Sequence, residues 1–336
     1  MSSPGKPAMR KALPALVAGL VLSACGSDGN SNSAAPPDPA SAFPMTVADC
    51  GRDVVLDKRP ERVLTMGSVA ATLMWAAGAT DKISNRANEG GVSLGPAQQA
   101  LHKVPLISPN QELSREVIIG QQPDLVISYG LNMTTWQDLE AAGIKSIVNA
   151  GFCDGSGSGP NPDGDVDFDD VYADIELYGR ILGTGAAATQ TVADLRQRVT
   201  AVGDQFRGRP SSARTAAALT LSGGVVRAYG FPNMTHAQIE TLGLTDVFAD
   251  IKERVAEVSV EELIKRDPDF LIFLAGGAQS ATRADVEQAL RTLPGVDRVT
   301  AVREGSYVLL ESPFILGSPL AVDGLEAMAE ELAASP

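Results

Sequence analysis

From Met45 onward, short apolar runs alternate with longer stretches of helical periodicity. Arg62-Val-Leu-Thr-Met-Gly-Ser68 reads as a short strand ending in small residues, and Ala70 to Ala77 as a helix closed by Gly78. Asp124-Leu-Val-Ile-Ser128 and Ser146-Ile-Val-Asn149 are two further buried strands, and Asp170-Val-Tyr-Ala-Asp-Ile175 opens another helix. Strand signals interleaved with helix signals favour an α/β architecture.

The pattern then repeats. Gly78-Ala-Thr-Asp81 closes a helix, and so does Gly243-Leu-Thr-Asp246. Ser114-Arg-Glu-Val-Ile-Ile-Gly-Gln-Gln-Pro-Asp-Leu-Val-Ile127 aligns without a gap to Ser259-Val-Glu-Glu-Leu-Ile-Lys-Arg-Asp-Pro-Asp-Phe-Leu-Ile272. Gly143-Ile-Lys-Ser-Ile-Val148 and Gly295-Val-Asp-Arg-Val-Thr300 follow in the same order. Three matches in sequence imply two Rossmann-like lobes of similar topology. Between them Val192, Leu195, Val199, Val202 and Phe206 form a single apolar stripe at helical spacing. A long helix there is expected to join the lobes as a stiff strut. The expected divisions are an N-terminal lobe over 45–186, the linking helix over 187–207 and a C-terminal lobe over 208–336.

The residues ahead of the lobes carry a different signal. Lys6, Arg10 and Lys11 precede an apolar run from Ala12 to Ala24 that is too short to span a bilayer and ends Leu-Ser-Ala-Cys25. This resembles a bacterial lipobox, which makes residues 1–24 a signal peptide and Cys25 the acylated first residue of the mature chain. Residues 25–44, rich in Gly, Ser, Asn and Pro, read as a tether. The expected location is extracytoplasmic, lipid-anchored to the cell membrane.

Composition narrows the function. The chain has 336 residues, 44% of them hydrophobic, enough for a sizeable core and too many for a disordered chain. Its net charge of −14 argues against nucleic acid, which requires a basic face. Loss of the signal peptide removes only basic charges, so the mature chain is more acidic still. With Cys25 lipidated, the other two of three cysteines, Cys50 and Cys153, remain as an even pair in an oxidising compartment and are expected to form a disulfide. No Gly-x-Ser-x-Gly elbow, Walker loop or dinucleotide fingerprint is present, so no catalytic residue is assigned.

Lipobox, tether, like lobes and linking helix together resemble the substrate-binding lipoproteins of ATP-binding-cassette importers, specifically those that capture ferric siderophores, haem and cobalamin. The most telling residues are Pro60-Glu-Arg-Val63, the Glu-bearing helices before Pro123-Asp and Pro268-Asp, and Thr300-Ala-Val-Arg-Glu-Gly-Ser-Tyr-Val308. The resemblance implies a monomeric, non-enzymatic protein without a cofactor, which binds a small molecule, foremost an iron chelate, between its lobes. It delivers that ligand to a permease dimer. One exposed Glu per lobe would dock the permease; by position these are Glu116 and Glu261, each seven residues before its Pro. Both also fall in a first helical turn behind the N-caps Ser114 and Ser259, Ser259 with Glu262 matching a capping box, where a carboxylate is stabilising without any partner. Haem, cobalamin or another cofactor-like ligand is the alternative cargo. A zinc- or manganese-capturing lipoprotein and a permease-independent surface binder are the alternative functions; only His102 and His236 could serve transition-metal capture.

Ligands of open α/β lobes collect at strand C-termini and between lobes. Three segments qualify: Met66-Gly-Ser68, Tyr129 to Trp136, and Tyr229 to His236. Aromatics make up only 5% of the chain, so their concentration here stands out. Ser68, Tyr129, Asn132, Trp136, Tyr229, Phe231, Asn233 and His236 are the resulting candidates, suited to a large planar or chelating ligand. Arg86 with Glu89, Arg254 and Phe314 could also reach the cleft, where an Arg fork would suit siderophore oxygens. A haem axial ligand could come from His236, Tyr129, Tyr229 or Met133. The acids of Asp163 to Asp170 lack the full calcium-loop pattern and read as a solvated loop, and no metal site is assigned.

Overall fold

A computed structural model describes residues 43–90, 94–153, 166–207, 214–231, 233–275 and 282–334. Cys25, the expected signal peptide, residues 26–42 of the expected tether and the acids Asp163 and Asp165 lie outside these residues. The fold opens with a hairpin, β1 (Met45–Asp49) and β2 (Arg52–Leu56), paired antiparallel. It turns at Cys50 and Gly51, both left-handed (φ 47° and 80°). Period-two burial places Val47 and Asp49 of one strand, and Val54 and Leu56 of the other, on the inner face.

The N-terminal lobe then alternates β3 (Val63–Met66), α1 (Ser68–Ala76), β4 (Ile83–Ala87), β5 (Leu106–Ser108), α2 (Arg115–Gly120), β6 (Leu125–Ser128), α3 (Trp136–Ala141) and β7 (Lys145–Val148). Its five strands are all parallel in the order β5-β4-β3-β6-β7. β3 and β6 are buried at every position, as central strands covered on both faces must be.

Helices α4 (Phe168–Leu182) and α5 (Gly185–Phe206) lead to the C-terminal lobe. That lobe comprises β8 (Thr215–Ser222), β9 (Val225–Tyr229), α6 (Met234–Thr241), β10 (Thr245–Asp246), β11 (Val255–Val258), α7 (Val260–Arg266), β12 (Phe270–Ala275), α8 (Arg283–Arg291), α9 (Thr300–Glu304), β13 (Tyr307–Glu311) and α10 (Leu320–Ala334). The parallel run β8-β12-β13 matches β3-β6-β7 of the first lobe. β10 stands beside β8 as β4 stands beside β3, but it is cut to two residues. The rest of that edge is taken by β9, which folds back antiparallel from β8 and pairs in turn with β11.

Two of the three sequence matches correspond to equivalent elements. Ser114–Ile127 yields α2, a turn and β6; Ser259–Ile272 yields α7, a turn and β12. Gly78 and Gly243 both end helices at positive φ (72° and 69°), which glycine adopts without penalty. The third match departs. Gly143 leads straight into β7, whereas Gly295 leads into a 3-10 turn and α9, and the equivalent strand begins only at Tyr307. Asp267 is the local cause: its carboxylate accepts the Thr300 N–H at 2.7 Å and the Thr300 hydroxyl at 3.1 Å, turning that segment into a helical start.

The stripe on α5 is buried at Val192, Leu195, Val202 and Phe206 and half-buried at Val199. With 22 residues at 1.5 Å each, the helix is about 33 Å long. Its first turn packs tightly on the N-terminal lobe: a Cβ on Gly179 of α4 would lie 2.5 Å from the Ala188 methyl, and one on Gly78 2.8 Å from that of Ala187. Farther along, Arg198 grips α10, with Nε 2.8 Å from Glu326 Oε1 and Nη2 2.5 Å from Asp323 Oδ1. One apolar cluster therefore runs from Val63 and Leu125 through Ile175, Tyr178, Val192 and Leu195 to Ile272, Val308 and Leu325. Smaller clusters cover the opposite face of each sheet, around Leu64 and Ile118 in one lobe and Leu271 and Phe273 in the other.

Candidate functional site

The C-terminal ends of β3, β6 and β7 meet at one place. β3 ends on Gly67 (φ 102°), and a Cβ there would fall 2.2 Å from Cδ1 of Tyr129, the residue that follows β6. The ring is thus seated directly on the first strand's end, and its hydroxyl accepts a hydrogen bond from Asn88 Nδ2 beyond β4. Burial, with a smaller contribution from Glu112, pushes the Tyr129 phenol up. Phe152, in the 3-10 turn after β7, lies 5.8 Å from Tyr129 between ring centroids.

The second lobe reaches the same place. The Arg254 guanidinium carbon stands 5.4 Å from the Phe152 ring centroid, a cation–π contact across the lobes. Arg254 is locked by its own backbone, whose carbonyl accepts the Gly230 N–H at 3.2 Å. Gly230 allows this approach, since a Cβ would meet Glu253 O at 2.5 Å and Ile251 O at 2.6 Å. Tyr229 precedes it; burial pushes its phenol up, partly offset by the nearby positive charge of Arg254. From β13 onward, Gln238 Nε2 ties down Phe314 through its carbonyl at 2.8 Å, while Gly317 abuts Gly151. Tyr129 and Phe152 on one side, with Tyr229 and Arg254 on the other, form a cross-lobe cluster of aromatic faces and one guanidinium.

Other sequence candidates are engaged elsewhere. Arg86 lies within β4, 4% exposed, bonded to Glu89 at 2.6 Å and to the Val104 carbonyl, so its fork faces the interior of its own lobe. Burial pushes the Glu89 carboxyl up, opposed by Arg86. Asn132 is exposed and held to Glu112 at 3.1 Å. Trp136, the first residue of α3, lies under the Arg52 guanidinium at 4.8 Å. Asn233 caps α6, accepting the Thr235 N–H at 2.9 Å. His236 lies inside α6 rather than in a loop; Nδ1 is 3.2 Å from Asp246, Nε2 3.5 Å from Glu240, and its ring 4.9 Å from Phe231. Ser68 is buried as the first residue of α1.

Glu116 and Glu261 are both exposed, each in the first turn of α2 and α7. Each helix runs back to the start of its parallel strand, so its N-terminus lies at the strand C-terminal edge, where the cross-lobe cluster also lies. The Ser259 hydroxyl accepts the Glu262 N–H at 3.1 Å. The reciprocal half of a capping box is replaced by a Glu262–Arg266 pair at 2.7 Å. Sequence reasoning did not single out Phe152 or Asn88. Phe152 was findable as an aromatic following Gly151 just past a strand end; Asn88 carried no such signal.

Beneath the Phe152 turn is a buried polar network. Val148 N–H donates to Asp49 at 2.8 Å, Asn149 Nδ2 to the Tyr178 hydroxyl at 2.8 Å, and Ala150 N–H to Asp174 at 2.9 Å. Burial pushes the Asp174 carboxyl up to about 8, opposed by the Ala150 N–H bonded to it and aided by the acids Asp170 and Asp49. Cys50 and Cys153 sit paired beside it, their Cα atoms 5.1 Å apart.

The profile of the periplasmic binding protein family matches residues 65–313, which is most of both lobes. The chain belongs to that family. A periplasmic binding protein binds solutes and is not an enzyme. Among solved structures, the ABC-type Fe3+-hydroxamate transport system protein of Saccharomonospora viridis is 37% identical, with a TM-score of 0.72 over 86% of this chain and 99% of that one. The cobalamin-binding protein of Halobacterium salinarum is 28% identical over 83% of this chain and 71% of its own. The uncharacterized ABC transporter substrate-binding lipoprotein YvrC of Bacillus subtilis is 19% identical over 94% of both chains. Among the described residues no helix is long and apolar enough to cross a membrane.

Proposed function

We propose that this periplasmic binding protein captures a ferric hydroxamate-type chelate between its lobes and delivers it to an ABC permease dimer. The observation that carries the reading is the cross-lobe cluster of Tyr129, Phe152, Tyr229 and Arg254, in a chain 37% identical to an Fe3+-hydroxamate transport protein. Hydroxamate chelates combine an apolar linker with a small polar iron-bearing face, which suits aromatic walls and a single guanidinium. The iron is cargo and arrives already chelated. Direct ligation by a tyrosinate is disfavoured, because burial pushes both Tyr129 and Tyr229 up, and both His236 nitrogens face acids. The same considerations weigh against haem held axially by Tyr129, Tyr229 or His236.

In the same reading Cys25 carries the lipid anchor, 25–44 is the tether, Cys50 and Cys153 form a disulfide, and Glu116 and Glu261 dock the permease. The protein works as a monomer, with lobes 45–186 and 208–336 on either side of the strut at 187–207. A cobalamin-type ligand is the second reading, favoured by the 28% identity to a cobalamin-binding protein. Thermal unfolding with ferrioxamine B, cyanocobalamin and haemin decides between them. A ligand at a hundredfold excess over its Kd stabilises by about 2.7 kcal/mol. A shift with ferrioxamine B alone is expected. A shift with cyanocobalamin alone establishes the second reading, and no shift with any of the three overturns both.

A further inference from the structure

The turn that presents Phe152 is fixed from below by groups that cannot reach a ligand themselves. The backbone of Val148, Asn149 and Ala150 donates in succession to Asp49, to the Ser128 carbonyl and to Asp174, at 2.8, 2.9 and 2.9 Å. Asp174 lies on α4, 5% exposed. The hairpin presents Asp49 to it, and its own helix presents Asp170 and Tyr178. Arg52 is bonded to Asp49 of this network and to the Ser146 carbonyl. A carboxylate at Asp174 would be buried beside two other acids, with no ion-pair partner among the described residues and only the Ala150 N–H favouring its charge, whereas the neutral acid fits without that cost. Tyr178 is pushed well above its ordinary range and stays neutral alongside it.

We propose that Asp174 is a positioning residue: its neutral carboxyl group seats the Ala150–Cys153 turn so that Phe152 stands between Tyr129 and Arg254, and loss of the proton unseats the turn and weakens ligand capture. The inference rests on reading the cross-lobe cluster as the ligand site. Ionisation draws the side chain toward water, and the Ala150 N–H bonded to it follows. A ring displaced by even 1 Å forfeits a good part of its contacts, since these fall off steeply with distance. The sign follows from the raised acid. The protonated, seated form prevails below about pH 8, and capture declines as pH rises through that value.

Two measurements on the purified protein test this. The first is the Kd for ferrioxamine B from pH 6 to 9.5, in wild type and D174N, whose amide oxygen can still accept the Ala150 N–H. Wild-type affinity is expected to fall about tenfold or more across that range, at 1.4 kcal/mol per decade, and D174N to hold within about threefold. Parallel profiles overturn the proposal. The second uses no ligand: hydrogen exchange of amides 150–153, corrected for intrinsic pH dependence. Their protection should drop about tenfold between pH 7 and 9.5 in wild type while α8 amides do not change. Unchanged protection at 150–153 overturns the proposal even if D174N does not fold. If exchange responds but ferrioxamine B never binds, the ligand reading fails and the proton-dependent seating of the turn stands.

Discussion

Replacing both Cys50 and Cys153 by serine should cost this protein about 4–5 kcal/mol of stability while leaving its fold in place. The bond would close a loop with a sequence separation of 103. In the chain-entropy treatment such a crosslink removes roughly 16 cal/mol/K from the unfolded ensemble, about 4.7 kcal/mol at 25 °C. The native contacts around it do not depend on the crosslink. Asp49 still accepts the Val148 N–H at 2.8 Å, and Arg52 still holds the Ser146 carbonyl at 2.7 Å and covers Trp136. The loss therefore comes from a freer unfolded chain. Urea denaturation of oxidised wild type, reduced wild type and C50S/C153S reads it directly. With a slope of about 2–3 kcal/mol/M, the midpoint should fall by about 2 M on reduction or double substitution. The slope itself should rise, because the unfolded chain becomes less compact. The double variant is the control and should ignore the reductant. A wild-type midpoint indifferent to reductant and equal to that of the variant would refute both the crosslink and the entropic argument.

Two further outcomes follow from the geometry. Gly67→Ala combines a left-handed backbone with a Cβ placed 2.2 Å from the Tyr129 ring, so a loss of about 2–4 kcal/mol and weaker ferrioxamine B binding are expected. Gly51→Ala, equally left-handed but in open space, should cost only about 1 kcal/mol, and equal losses would show that the Tyr129 contact is immaterial. Reversing Glu116 and Glu261 together to Arg should abolish transport in cells while leaving ligand affinity within about twofold, as both are exposed and neither belongs to the Tyr129, Phe152, Tyr229 and Arg254 cluster. Unimpaired transport would remove the docking assignment.

The elements most legible in the sequence are those whose signals are local. Apolar runs such as Val63–Met66 and Leu125–Ser128 are buried end to end, and the stripe from Val192 to Phe206 faces the core nearly as its spacing dictates. What local pattern could not convey was competition for side chains by distant partners. Arg86 is consumed by Glu89 and the Val104 carbonyl, Trp136 by Arg52 across the hairpin, and His236 by Asp246. Aromatic clustering pointed to Tyr129 and Tyr229, and the cleft's charged candidates included Arg254; all three lie in the cross-lobe cluster, because chain topology brings their loops to strand ends. It missed Phe152, whose place depends on the partners of Asn149 and Ala150 on α4, and the shift of the last C-terminal strand, which depends on Asp267 reaching Thr300.

The apolar cluster that passes without a break from β3 and β6 through α4 and α5 into β12, β13 and α10 bears on how the molecule comes apart. Each lobe has a smaller cluster of its own, but the largest apolar interior is common to both. A cut within α5 would divide this cluster between the two pieces. Heating should accordingly give one calorimetric transition for both lobes together, and homologous lobes exchanged between relatives will be compatible only when the strut and its facing helices travel with them.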